Sequence, residues 1–526
     1  MTAVRFGQGP RVSRAGLAAL ALCGALVLSA CAVAPSLVPH VSADDEAAQL
    51  RWLDRVSWGA NASGMAQLRR AGLPDWLGRQ LHPGPPMLPP PAQALIDAMA
   101  ITRTPVEQLA LSLDAQRKAA DALVDVEQKK AALQAYQEQL NGLTREAQQR
   151  FLLRALYSPN QLQEQMTWFW MNHFNVDVRK DNIRMLVGDY EENAIRPHAL
   201  GRFRDLLGAT AHHPAMLRYL DNAQNAANRI NENYAREVME LHTMGVGGGY
   251  SQADVQELAR VLTGVGVTLR QPGAPPPQMR PAIAADYVQQ GLFEFNPNRH
   301  DYGPKTLLGQ PIVKRGLAEV DEALDRLAQA PATARFIAAK LAVYFVADEP
   351  PPALVDRMSA SFLRTEGDIA AVLSTMFESP EFAASLGRKF RDPVHYVIGS
   401  VRLAYDERVA LDVKPMIGWI SRMGQALYGR ETPDGYALTQ PAWASAGQMN
   451  TRFEIARAIG ASGAVLFRAD GKAPLEKPAF PALADSTVVR RALPTMSADT
   501  REALARAKTP QDWNTFLLAS PEFMYR

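Results

Sequence analysis

Cysteine is almost missing from this chain. Only Cys23 and Cys31 occur in 526 residues, so neither a disulfide framework nor a cysteine-held metal cluster can organise the fold. The sequence also has no His-Glu-x-x-His pair, no Gly-x-Ser-x-Gly elbow, no Cys-x-x-Cys-His and no Gly-x-Gly-x-x-Gly. Those absences remove the single-motif zinc peptidases, the α/β-hydrolases, c-type haem proteins and dinucleotide enzymes. Gly247 to Gly249 is a glycine run without the spacing or the lysine of a phosphate loop. No basic block stands out and the formal charge is +2, which excludes nucleic acid as a partner class. After the N-terminus no further apolar run of about 18 residues appears, so the body is expected to be soluble.

What the N-terminus holds is an export signal. Arg5, Arg11 and Arg14 precede an apolar stretch from Ala15 to Val27, and Leu28-Ser29-Ala30-Cys31 closes it. This basic, apolar, small-residue order is that of a secretory signal. The small pair before Cys31 resembles a bacterial lipobox, in which the cysteine is lipidated and becomes the new N-terminus. Ala32, rather than Asp, favours the outer membrane in that pattern. Residues 1–30 are therefore read as a lipoprotein signal peptide and residues 31–43 as a tether, with lipid on Cys31 as the membrane attachment. Cys23 lies inside the signal, so the folded part carries no thiol chemistry.

Residues 44–526 read as one large helical domain or closely packed helical subdomains. Apolar residues recur at three- to four-residue steps from Leu50 to Leu81. The proline-rich segment 82–92 reads as a stiff, non-helical linker. Residues 106–140 have high helix propensity, Asn141-Gly142 is a plausible stop, and the helix restarts at Thr144. Ser379-Pro-Glu-Phe and Ser520-Pro-Glu-Phe are helix-start chemistry. Strand-like patterns are confined mainly to 287–296 and 306–313, which predicts a small inserted β-hairpin. The fold class is mainly α.

Nearly all candidate chemistry falls within residues 168–305. Asn172 and His173 sit inside an aromatic helix. Asp221 and Asn225 lead into a segment with Arg236, Glu237 and Glu240, where a helix beginning near Asn233 puts both glutamates on one face. Ser251 to Asp254 opens the next helix as a capping-box variant. His300, Asp301 and Lys305 share the turn of the suspected hairpin. Catalytic roles are expected for His173, Glu237, His300, Asp301 and Lys305, and ligand contacts for Asn172, Asp221, Asn225, Arg236 and Glu240. His173, Glu237 and His300 are ligand types for a divalent metal, the one cofactor these residues suggest. His173, Arg236, Glu237, His300 and Asp301 are expected to line one cleft, with Glu240 and Lys305 at its margin. A buried, purely structural ion-pair network is the competing explanation.

Several separated runs then become familiar. WMNHF (170–174), NYARE (233–237) with ELHTMG (240–245), and RHDYGPK (299–305) occur in that order, with RPHALG (196–201) and PDGY (433–436). In these the chain resembles the bacterial domain-of-unknown-function 1800 family over nearly its whole mature length. The resemblance implies a large, mostly helical exported protein, supplies no activity, and hints at a second exported protein as partner. Two functions fit. One is a metal-assisted hydrolase or lyase acting on a surface or extracellular polymer, or the same residues working without metal as general acid and base. The other is a non-catalytic outer-membrane assembly or binding protein, with the asparagine-rich stretch from Asn222 to Asn233 meeting a polar ligand. The lipid attachment has a direct check: metabolic palmitate should label the wild type and not Cys31→Ala, and equal labelling would refute it.

Overall fold

Helix-forming residues in 3.6-residue periodicity dominate the chain, and the fold follows from that. The computed structural model describes residues 45–271, 273–461, 464–468 and 480–526. The expected signal peptide (1–30) and the whole of the expected tether (31–43) lie outside the described residues. Those described fall within one compact unit, Pro39–Arg526, and hold 24 α-helices with two small sheets. The fold is mainly α. Among the described residues no helix is long and apolar enough to cross a membrane.

The longest helix, Val126–Tyr157, is a spine against which the helices Val106–Asp121 and Gln161–His173 pack. It runs straight through Asn141-Gly142, where the sequence suggests a stop. An interior glycine costs only about 1 kcal/mol, and burial of Leu140, Leu143 and Ala147 offsets it. The break comes earlier, before Asp125, whose carboxylate caps the Gln128 amide at 2.8 Å. The proline segment is irregular from Pro83 to Leu88 but does not stay so, since Pro90–Asp97 is helical. Proline suits a first helical turn because the amide it lacks would be unsatisfied there. The expected capping box is present, with Ser251 and Asp254 bonding each other's backbone.

The β part is larger than a single hairpin. Strands β1 (Val265–Val267), β2 (Val288–Gln290) and β3 (Phe293–Phe295) form an antiparallel sheet in the order β1-β3-β2. β4 (Thr306–Leu307) pairs with β5 (Gln310–Pro311) as a separate ribbon. β1 escapes the sequence pattern because three residues after a helix show no alternation.

A buried ion network fastens both sheets to the helices. Glu319, on the helix Leu317–Gln329, meets Lys305 at 2.7 Å and His300 at 3.1 Å. The other ring nitrogen of His300 lies 2.8 Å from the Thr263 carbonyl. Asp301 pairs with Arg260 at 2.8 Å. The side chains of His300 and Lys305 are 0% and 1% exposed. Removing one partner would leave buried charge uncompensated. Glu319→Ala should therefore lose about 3–5 kcal/mol of stability, read as a lower urea midpoint. An unchanged midpoint would refute the fastening role.

Candidate functional site

Three helical segments and one loop build the site, and two asparagines join the loop to the first helix. The helix Gln161–His173 ends in Asn172 and His173. The Asn172 amide donates to the Tyr436 carbonyl at 2.9 Å, and its carbonyl oxygen accepts the Tyr436 amide at 2.6 Å. Asn175 donates to the carbonyls of Arg430 and Thr432. The loop is thereby clamped on the helix end so closely that a Cβ on Gly435 would lie 2.1 Å from the backbone carbonyl oxygen of Asn172. Asp434, beside that glycine, is carried to the rim.

The second segment is the helix Asn233–Glu237, which continues as a π-helical turn, Val238–Thr243. Such wide turns recur at functional sites because they re-aim side chains. Its His242 carbonyl accepts a hydrogen bond from His173 Nε2 at 3.1 Å. A carbonyl can only accept, so His173 carries its proton on Nε2 and its Nδ1 is a bare lone pair. Neither that Nδ1 nor His242 Nε2 has a hydrogen-bond partner, although both residues are buried.

Lys340 comes from the helix Pro331–Phe345, one turn after Phe336. The Phe336 ring lies 6.2 Å from the His173 ring. Gly245 meets the same ring so tightly that a Cβ there would come within 2.8 Å of it. Lys340 Nζ sits 5.4 Å from the Phe336 centroid. Lys340 and Glu237 are both half-buried, and among the described residues neither makes a hydrogen bond or ion pair. Both are acted on by the exposed Asp434, which relates them to one another.

Electrostatics follow from the burial. Desolvation lowers the Lys340 ammonium from its ordinary 10.5 to about 8, against the attraction of Asp434. Burial, then Glu240 and Asp434, push Glu237 upward against Arg236. His173 is held neutral first by burial and then by Lys340, and His242 falls to about 3 for the same reasons. Burial also raises the Tyr219 phenol, which feels Asp434 and Glu237. Burial thus disfavours the charged form of both the amine and the carboxyl.

The residues singled out in sequence divide between two places. His173, Glu237 and Asn172 belong to this site, while Arg236 bridges Glu232 and Glu240 beside it. His300, Asp301 and Lys305 belong instead to the Glu319 network and share no hydrogen-bond partner with His173. The expected single cleft is therefore two clusters. Asp221 pairs with Lys180 at 2.8 Å. Asn225 is consumed locally, holding the Asn231 amide and the Ala259 carbonyl. The amides of Asn222, Asn231 and Asn233 likewise bond backbone carbonyls.

The donor set does not fit the expected metal. Among the described residues no group of three or more His, Cys, Asp or Glu is arranged to hold an ion. Each ring nitrogen of His300 already faces an oxygen, so it cannot complete a set with His173 and Glu237. Sequence reasoning missed Lys340, His242 and Asp434. The one available signal was a single lysine inside an apolar run, RFIAAKLAVYF (335–345).

An unpaired, desolvated ammonium costs stability. Below pH 8 Lys340 is protonated in both folded and unfolded chains, and the folded state bears the desolvation penalty. Between about 8 and 10.5 the folded state releases the proton first, so stability rises with pH there. Lys340→Met should accordingly stabilise the protein by about 1–3 kcal/mol at pH 7, with the gain shrinking above pH 8 as the native amine loses its proton. Melting curves of both proteins across that range check the sign, and a variant less stable at pH 7 contradicts it.

Comparison with known proteins adds family membership. The family model described as "Protein of unknown function (DUF1800)" matches residues 51–525. No curated protein and no solved structure matches the chain. The match spans the helix that ends in His173, the π-helical turn, the Lys340 helix and the loop bearing Asp434, so the whole site lies within it, and the chain belongs to the DUF1800 family of proteins of unknown function.

Proposed function

We propose that this protein is a lipid-anchored enzyme of the cell envelope, a hydrolase or lyase acting on a surface or extracellular polymer by proton transfer between Lys340 and Glu237. One observation carries the reading: two half-buried ionisable groups of opposite type, neither hydrogen-bonded nor ion-paired among the described residues, are both acted on by the exposed Asp434. With its value near 8, about a tenth of the Lys340 amine is neutral at pH 7 and able to accept a proton. Glu237, pushed upward by burial, is suited to return one to a leaving group. Phe336 supplies an apolar wall that limits water beside the amine. No step needs a metal, in agreement with the donor geometry. The export signal points to envelope material as substrate.

The alternative is a non-catalytic outer-membrane assembly or binding protein with an exported partner; the amides of Asn222, Asn225 and Asn233 are engaged with backbone carbonyls, so that role would fall to other surfaces. The test is to incubate mature protein with peptidoglycan, lipopolysaccharide and exopolysaccharide, and to follow new reducing ends and unsaturated products. Wild type should release product from one of them. Lys340→Met and Glu237→Gln should each slow release by about 100-fold or more. Equal release by wild type and variants would overturn the assignment.

A further inference from the structure

We infer that the cavity between the first and last α-helices of the described chain binds an amphipathic monocarboxylate, an apolar chain ending in one carboxylate. It shares no residue with the Lys340 site. The cavity measures about 250 Å3 and its lining is mainly apolar. Leu50 comes from the helix Glu46–Val56, Leu403 from Pro393–Tyr405, Val489 from Thr487–Ala492 and Leu517 from Pro510–Leu518. Val489 and Leu517 are buried, whereas Leu50 and Leu403 are only half-buried, so the apolar walls can be reached from solvent. At roughly 30 Å3 for a water-sized group, that volume suits about eight to ten non-hydrogen atoms.

Charge selects the head group. Arg391 lines the cavity with a side chain only 5% exposed. Its Nη2 donates to both oxygens of Asp54 at 2.7 Å. Its Nε is buried without a hydrogen-bond partner, and among the described residues its Nη1 makes no hydrogen bond either. Nη1 lies against Gly399, another wall residue, where a Cβ would come within 2.7 Å of it. Having glycine there keeps the space beside that nitrogen free of a side chain. Arg51, exposed on the first helix at the same cavity, makes no hydrogen bond or ion pair among the described residues. The other charges are engaged. Asp54 also accepts the Ala60 amide at 3.0 Å, and Glu522 accepts the Ser497 amide and the Thr500 hydroxyl, each at 2.8 Å. Arg491 is matched by Glu46. Unmatched positive charge beside apolar walls favours an anion with an apolar tail. Asp54 and Glu522 would repel a second negative charge, so one carboxylate fits better than a phosphate dianion.

Titration calorimetry of the mature protein at pH 7 with octanoate, 1-octanol and acetate separates head from tail. Octanoate should bind once per chain. 1-Octanol keeps only the tail and acetate only the head, and each should bind at least ~10-fold more weakly. Octanoate should also raise the melting temperature, because it bridges helices from both ends of the chain. Leu50→Trp and Leu403→Trp fill the cavity from separate helices, and each should abolish octanoate binding. Arg391→Lys keeps a cation beside Asp54 but loses the guanidinium fork. It should weaken octanoate about 10-fold and leave 1-octanol unchanged, a split that simple loss of structure would not produce. Circular dichroism identifies any variant that fails to fold, and the folded ones carry the comparison. No octanoate binding, equal affinity for octanoate and 1-octanol, or octanoate binding undiminished in the folded variants overturns the inference.

Discussion

An ionisable side chain removed from water must find a partner or give up its charge, and this molecule is organised by how consistently it does so. Arg55, wholly buried, donates to the carbonyls of Phe345, Ser385 and Arg526, tying the first described helix to residues hundreds of positions away. Asp392 is held well down by His395 and Arg526 despite its burial, and His395 falls to about 4. Arg526 donates to Gln165 and to the Tyr344 carbonyl. Such clamps join helices that share little sequence proximity and fasten the core across the fold.

Seen against that background, the Lys340 site is defined by what the clamps surround. Asn172 and Asn175 fix the loop that bears Asp434, and a second anchor lies behind them. Tyr428, at a left-handed φ of 60° that a bulky residue rarely adopts, donates its hydroxyl to Glu191 at 2.5 Å. Burial pushes Glu191 up to about 7, and Glu191 lies in the other π-helical turn, Tyr190–Ile195. Both π-helical turns of the described chain therefore serve the same region, one placing His242 just after Glu237, the other holding Tyr428 ahead of the loop.

The split of the expected cleft has the same origin. His300, Asp301 and Lys305 are the residue types of an active site, and their loop position is a functional hint. They face Glu319 and Arg260, which lie on helices flanking the small sheets and satisfy every charge. In sequence, a satisfied network and an open site look alike, because both gather His, Asp and Lys. What separates them is the partner across the interface, and Glu319 stands fourteen residues beyond Lys305 within an ordinary amphipathic helix.

Local physical chemistry made much of the chain legible: helix propensity, apolar spacing, the Ser251–Asp254 capping box, and the concentration of chemistry around His173 and Glu237. These depend on neighbours within a turn or two, which the sequence displays directly. It could not display that helix Val126–Tyr157 would absorb Gly142, that Pro90 would begin a helix rather than prolong a linker, or that β1 would add to β3. Packing of distant surfaces decides each of those. Nor could it single out Lys340, which reads as one charge in an apolar helix until His173, His242 and Phe336 close around it. Residue types and helices were determined by the sequence itself; which charges found partners was decided only by the tertiary structure, because pairing and desolvation depend on contacts across the fold.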